Sequence, residues 1–144
     1  MEISIIITRD SIFRRVRRRM EWEGTRSPDG SDDYGRVSLS EADRSLLHSL
    51  FDESAMHVID LCRPFLTSVS NTDEALKLVI TMSEDFDTSG LSMALGNLVA
   101  THVLAQWQEI VSPARCEASL RKKEDYTLKV LSILYHHQAP KREF

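Results

Sequence analysis

The sequence predicts a mainly α, single-domain helical bundle of about four helices with a small β-hairpin or strand element. Three observations carry that expectation. Apolar residues recur at three- and four-residue spacing through four long stretches. Capping residues and prolines bracket those stretches. One short segment, Leu76 to Met82, alternates apolar and polar residues instead. The chain has 144 residues, of which 42% are hydrophobic and 28% charged. That size and balance suit one soluble core that needs no staples. Residues 1–144 are therefore read as a single helical domain.

The elements follow in order. Ile3 to Ile7 is β-branched and apolar, a short strand or, across 1–8, an extended arm. Thr8 offers an N-cap, and Ile7 and Ile12 stand where a hydrophobic staple would place them. A first helix follows to about Glu23, with Ile12, Phe13, Val16 and Met20 as its apolar stripe. Residues 24–36 form a loop, expected to be mobile, with a Pro28-Asp29-Gly30 turn signal. Ser38 with Glu41, or Ser40 with Asp43, opens the second helix as a capping box. Leu47, Leu50, Phe51, Val58, Leu61, Cys62 and Phe65 form its apolar side, and Pro64 ends it.

Leu76, Leu78, Ile80 and Met82 read as one face of a strand. Its nearest partner is Leu66 to Ser70, through a turn at Asn71-Thr72-Asp73. The Ile3–Ile7 segment or a neighbouring subunit is the alternative. Thr88 or Ser89 caps the third helix. Leu91, Ala94, Leu95, Leu98, His102 and Ala105 or Gln106 share one face, widened by Val99, Val103, Trp107 and Ile110. Ser112 caps the last helix with Pro113 at its first position. Leu120, Leu128, Val130, Leu131, Leu134 and Tyr135 form its apolar side, and Pro140 stops it. Leu47, Phe51, Leu98, Trp107 and Leu131 are the expected core.

The chemistry is thin. No nucleophile motif or phosphate-cradling glycine loop is present. Asp85-Phe86-Asp87-Thr88-Ser89-Gly90 is explained by a helix cap with acidic residues near the positive helix end. The histidines His48, His57, His102, His136 and His137 show no His-x-x-x-His spacing, so no metal, and no other cofactor, is expected. His102 reads as a hydrogen-bonded core residue. Cys62 and Cys116 lie in apolar helical patterns and behave as small hydrophobes. Ile3–Ile7 is too short for a signal peptide or a membrane span, which points to an intracellular protein.

Charge is segregated. Residues 1–26 hold seven arginines against four carboxylates, while residues 27–60 hold eight carboxylates against two arginines. Arg14, Arg15, Arg17, Arg18 and Arg19 are the obvious interaction residues, joined by Lys141 and Arg142 near the end. Five arginines within six residues could neutralise several phosphates. They spread around the helix, however, and the whole chain carries a net charge of −4. Nucleic acid is therefore possible but not favoured. An acidic segment, in the same chain or another copy, is the better complement.

With the helices laid out, three stretches carry a resemblance. They are Ser40-Glu41-Ala42-Asp43-Arg44-Ser45-Leu46-Leu47, Leu104-Ala105-Gln106-Trp107-Gln108-Glu109-Ile110, and Tyr135-His136-His137-Gln138-Ala139-Pro140-Lys141-Arg142. Over residues 40–142 the chain resembles head–tail connector (adaptor) proteins of phage and prophage structural modules in gut Bacteroidetes. The resemblance implies a non-enzymatic subunit of an oligomeric ring, with copies of itself and portal or tail proteins as partners. It would reside in the bacterial cytoplasm or the virion, with no membrane contact. The alternative is a small helical DNA-binding or regulatory protein of a mobile element, acting through the arginine helix.

Overall fold

The computed structural model describes residues 2–25, 44–81, 88–111 and 113–138. Strand β1 (Glu2–Thr8) runs into helix α1 (Arg9–Thr25). Helix α2 (Arg44–Cys62) ends in a 3-10 turn, Arg63–Phe65, followed by β2 (Leu66–Asn71) and β3 (Ala75–Thr81). Helices α3 (Thr88–Val111) and α4 (Pro113–Gln138) complete the fold. Among the described residues the fold is mainly α, with four helices and a small antiparallel sheet.

The sheet order is β1-β3-β2, so β3 is central. The two segments of the chain weighed for β3 are both used, one on each edge, and the first segment is a paired strand, not a free arm. Ile3, Ile5 and Ile7 stand opposite Ile80, Leu78 and Leu76. All six side chains are buried, because alternation puts them on one face of the sheet. β2 is a polar edge strand whose register shifts between Leu66 and Ser68. A short, irregular, polar strand is a poor template for pairing with another chain. In the β2–β3 turn the Thr72 hydroxyl accepts from the amides of Glu74 and Ala75, at 3.3 and 3.2 Å.

Local chemistry sets the helix ends. The Thr8 hydroxyl accepts the Ser11 amide at 3.4 Å, as an N-cap does. Ile7 and Ile12 are both buried beside it. Helix α1 continues to Thr25, two residues past the expected end. Pro64 lies in the 3-10 turn, where it cannot extend α2. Pro113 is the first residue of α4. The capping boxes at Ser38 and Ser40, the cap at Ser112, residues 26–36 of the expected loop, Asp85, Asp87 and Met82 lie outside the described residues.

Helix α3 is the centre of the molecule. It touches α1, α2, α4 and β1. Leu91, Leu95, Leu98, Val99, Val103 and Trp107 are all buried along it. Each such side chain contributes about 1.5–3 kcal/mol relative to exposure. Leu47, Leu50, Phe51, Ala55, Val58 and Cys62 of α2 join the same core, as do Ile12, Phe13, Val16 and Met20 of α1. Ile110 departs from expectation, being 57% exposed near the end of α3. Among the described residues no helix is long and apolar enough to cross a membrane.

The largest correction concerns α4, which packs antiparallel along α3. Cys116 donates its S–H to the Ala105 carbonyl at 3.3 Å, and the Ser119 hydroxyl donates to Gln108 Oε1 at 2.5 Å. The buried face is Cys116, Ser119, Val130 and Leu134, with Tyr126 and Ile133 partly covered. Leu120, Leu128 and Tyr135 are 43%, 65% and 47% exposed. Leu131, expected in the core, is only partly buried. At 100° per residue these four share a sector roughly a quarter-turn from the packed face. Helix α4 therefore carries an outer apolar cluster besides its packed face, and the sequence-based stripe mixed them.

Candidate functional site

The arginines of α1 separate once the helix is placed. Arg14, Arg15, Arg17, Arg18 and Arg19 are all exposed. Only Arg15 and Arg19, four residues apart and so on one face, turn toward α3 and α4. There they line an open groove of about 410 Å³ with Arg115, Ser119, Lys122 and Tyr126 of α4 and Thr101 of α3. Val16, Ala100, Leu104 and Ala118 supply its apolar lining. The groove exists because the facing positions on α3 and α4 are small: Ala100, Thr101, Ala118 and Ser119. Arg15 is held in place by α3, its Nη2 donating to Asn97 Oδ1 at 2.5 Å. Two arginines of α1 thus face Arg115 and Lys122 across the hollow.

Arg14 lies elsewhere, in a cleft that also holds Arg44 but mixes in Asp10, Asp73 and Glu74. That cleft is internally balanced in charge. Arg17 and Arg18 line neither cavity. Lys141 and Arg142 lie outside the described residues. The acidic residues described on α2 are engaged within the chain: Asp52 with Arg9, Asp60 with Arg63, and Glu53 with the Gln106 side-chain amide.

Two arrangements were not legible in the sequence. The first is Arg9, only 4% exposed at the start of α1. Its Nε donates to the Thr72 carbonyl at 2.9 Å. Its Nη1 donates to His48 Nδ1 at 3.0 Å and to the His48 carbonyl at 3.3 Å. Its Nη2 donates to Asp52 Oδ1 at 2.5 Å and Asn71 Oδ1 at 2.9 Å. The guanidinium also lies 4.5 Å from the centroid of the Phe51 ring. All five N–H donors are used, which is the condition for burying this cation without a large penalty. Arg9 ties α1 to α2 and to the β2–β3 turn. It is a structural residue.

The second is a histidine pair between α2 and α3. His57 and His102 stack edge to face with centroids 5.3 Å apart. Burial, then the positive charge of Lys123, hold His57 below the ordinary imidazole value, against a smaller opposing effect of Asp60. Burial, Lys123 and the neighbouring His57 push His102 down to about 4. His57 Nε2 and His102 Nδ1 are buried without hydrogen-bond partners among the described residues. His102 thus departs from the hydrogen-bonded role expected of it at that nitrogen. Two imidazoles beside Lys123 make a poor cation site, and among the described residues no three metal-ligating side chains converge.

The thiols are suited to packing. Burial pushes Cys62 up to about 12, and burial followed by Glu109 raises Cys116. A thiol so raised holds its proton and is a weak nucleophile.

The groove could have been sought in the sequence. Arg115, Ser119, Lys122 and Tyr126 recur at helical spacing. Arg115 also sits in the first turn of α4, where the helix dipole disfavours a cation. Comparison with family models, curated proteins and solved structures finds no match for this chain.

Proposed function

We propose that the chain is a non-enzymatic structural subunit that assembles with copies of itself, of head–tail connector (adaptor) type in a phage-like particle. The observation that carries this reading is the outer apolar cluster of α4. Leu128, Leu131 and Tyr135 cluster on one side of its later turns, where Tyr135 also packs edge to face on Phe65 at 5.1 Å between centroids, while exposed Glu124 separates them from Leu120. Exposed apolar residues scattered singly are ordinary, whereas a cluster of them marks a contact surface.

The proposed occupant is a second copy of the chain. A different apolar patch supports this: Ile6 and Met93 are 58% and 69% exposed. They flank a cleft of about 420 Å³ lined by Ile7, Ile12 and Gly96. That patch is built from β1, α1 and α3, not from α4. A cluster meeting a different patch is a heterologous contact, the kind that closes into rings. The resemblance of residues 40–142 to connector proteins points the same way.

Light scattering on the full chain tests the reading. Wild type should form concentration-dependent oligomers, and Leu128→Glu should stay monomeric with an unchanged melting curve. A wild type that remains monomeric and fails to bind a purified portal ring would contradict it.

The regulator reading is kept for one observation, the groove lined by Arg15, Arg19, Arg115 and Lys122. Salt-dependent duplex binding by anisotropy, with assembly absent, would favour it.

A further inference from the structure

We propose that Met93 is an oxidation site that controls self-association: a peroxide converts its thioether to the sulfoxide and releases the neighbouring copy. The proposal rests on the assembly reading and adds its regulation. Its basis is the placement of one side chain. From Leu91 to Ala100 every residue of α3 is buried or half-buried except Met93, which is 69% exposed. Gly96 and Asn97 follow three and four positions later, on the same side of the helix. Gly96 has no side chain to cover the thioether, and the cleft of about 420 Å³ opens there. Ile6 of β1, 58% exposed, lines the same cleft. The sulfur therefore stands in the patch assigned to the α4 cluster of the next copy.

The chemistry is a two-electron transfer of one oxygen atom. The thioether sulfur attacks a peroxide oxygen, and an S–O bond forms as the O–O bond breaks. The proton of the attacked oxygen passes to the leaving hydroxide, so hydrogen peroxide is reduced to water. The product replaces an apolar, flexible side chain with a polar, chiral one. The thioether suits an adaptable contact and packs well on aromatic rings, such as that of Tyr135 in the α4 cluster. A sulfoxide buried in the same contact loses its hydration without a matched donor, which opposes association. The other described methionines lack this combination. Met20 is 0% exposed, so the reagent cannot reach it. Met56 is 56% exposed but stands on α2, outside the cleft. The thiols of Cys62 and Cys116 are buried.

The test treats the full chain briefly with hydrogen peroxide and maps the oxidised residues by peptide mass spectrometry. Light scattering measures self-association before and after. Met93 and Met56 should oxidise well ahead of Met20. Oxidation should weaken self-association about tenfold or more, the size expected when a buried apolar side chain becomes polar. Methionine sulfoxide reductases with a thiol reductant should restore it. Met93→Leu should associate like the untreated wild type and continue to do so after peroxide, whereas Met56→Leu should still lose association. Met93→Gln should associate weakly without any oxidant. Undiminished association of the Met93-oxidised wild type, or an equal peroxide-induced loss in Met93→Leu, overturns the proposal and leaves the assembly reading standing. An untreated wild type that stays monomeric overturns the proposal through the assembly reading itself.

Discussion

Arg9 and Arg19 lie on the same helix and meet opposite surroundings. Arg9 is buried, and each of its donors reaches an acceptor on α2 or in the β2–β3 turn. Arg19 is exposed and, with Arg15, looks across a groove at Arg115 and Lys122. The first setting holds the fold together. The second places cations from two helices along one open groove. A run of arginines is therefore not one feature, and its members take their roles from the faces they occupy.

The largest expected effect falls on the buried end. Arg9→Met should cost about 3 kcal/mol, because several acceptors lose their only cationic partner. Arg9→Lys should still lose roughly 2 kcal/mol, since an ammonium cannot reproduce five donors in a planar fork. Chemical denaturation would measure both. If Arg9→Met matched wild type, the contrast between the two regions would fail.

A second effect concerns the histidine pair. Both imidazoles are held below their ordinary value in the fold, so the unfolded chain takes up protons first. Their contribution is whole above about pH 6.5 and is lost as pH falls through the His102 value of about 4. Allowing for partial exposure, the loss should be on the order of 1–2 kcal/mol. Thermal melts across this window should show a shallower decline for His102→Phe than for wild type. Parallel curves would remove the pair from the account.

At the groove the stability effect should be small. Lys122→Gln, at an exposed position, should leave stability within about 0.5 kcal/mol. A loss comparable to that of Arg9→Met would make the groove cations structural.

A small gain is expected beside the groove. A Cβ at Gly96 would meet Arg15 Nη1 at 3.7 Å, an ordinary contact. Gly96→Ala should therefore gain about 0.5–1 kcal/mol through helix propensity. A loss would show that Arg15 needs more room on α3.

Much of the fold was legible because its signals are local. Thr8, the Ile12–Phe13–Val16–Met20 stripe and the alternation from Leu76 to Ile80 each act through neighbouring residues. Helix α4 was harder. Its outer residues Leu120, Leu128 and Tyr135 look more apolar than the packed Cys116 and Ser119. The packed face is small because α3 approaches it closely, and periodicity alone cannot tell a core stripe from an exposed one. Arg9 was illegible for another reason. Its partners lie 39 to 63 positions away, so only the folded chain brings them together. The groove needed the same tertiary step, since α1 and α4 supply its charges from opposite ends of the sequence.

The most direct measurement is an arginine scan of α1 read by melting temperature. Arg9, Arg14, Arg17 and Arg18 would be changed one at a time to Gln. Arg9→Gln should lower the melting temperature by several degrees, because its acceptors lose their buried donor. The exposed Arg14, Arg17 and Arg18 should each change it by much less. An Arg9→Gln melting temperature equal to that of Arg17→Gln would contradict the contrast between the buried and exposed arginines.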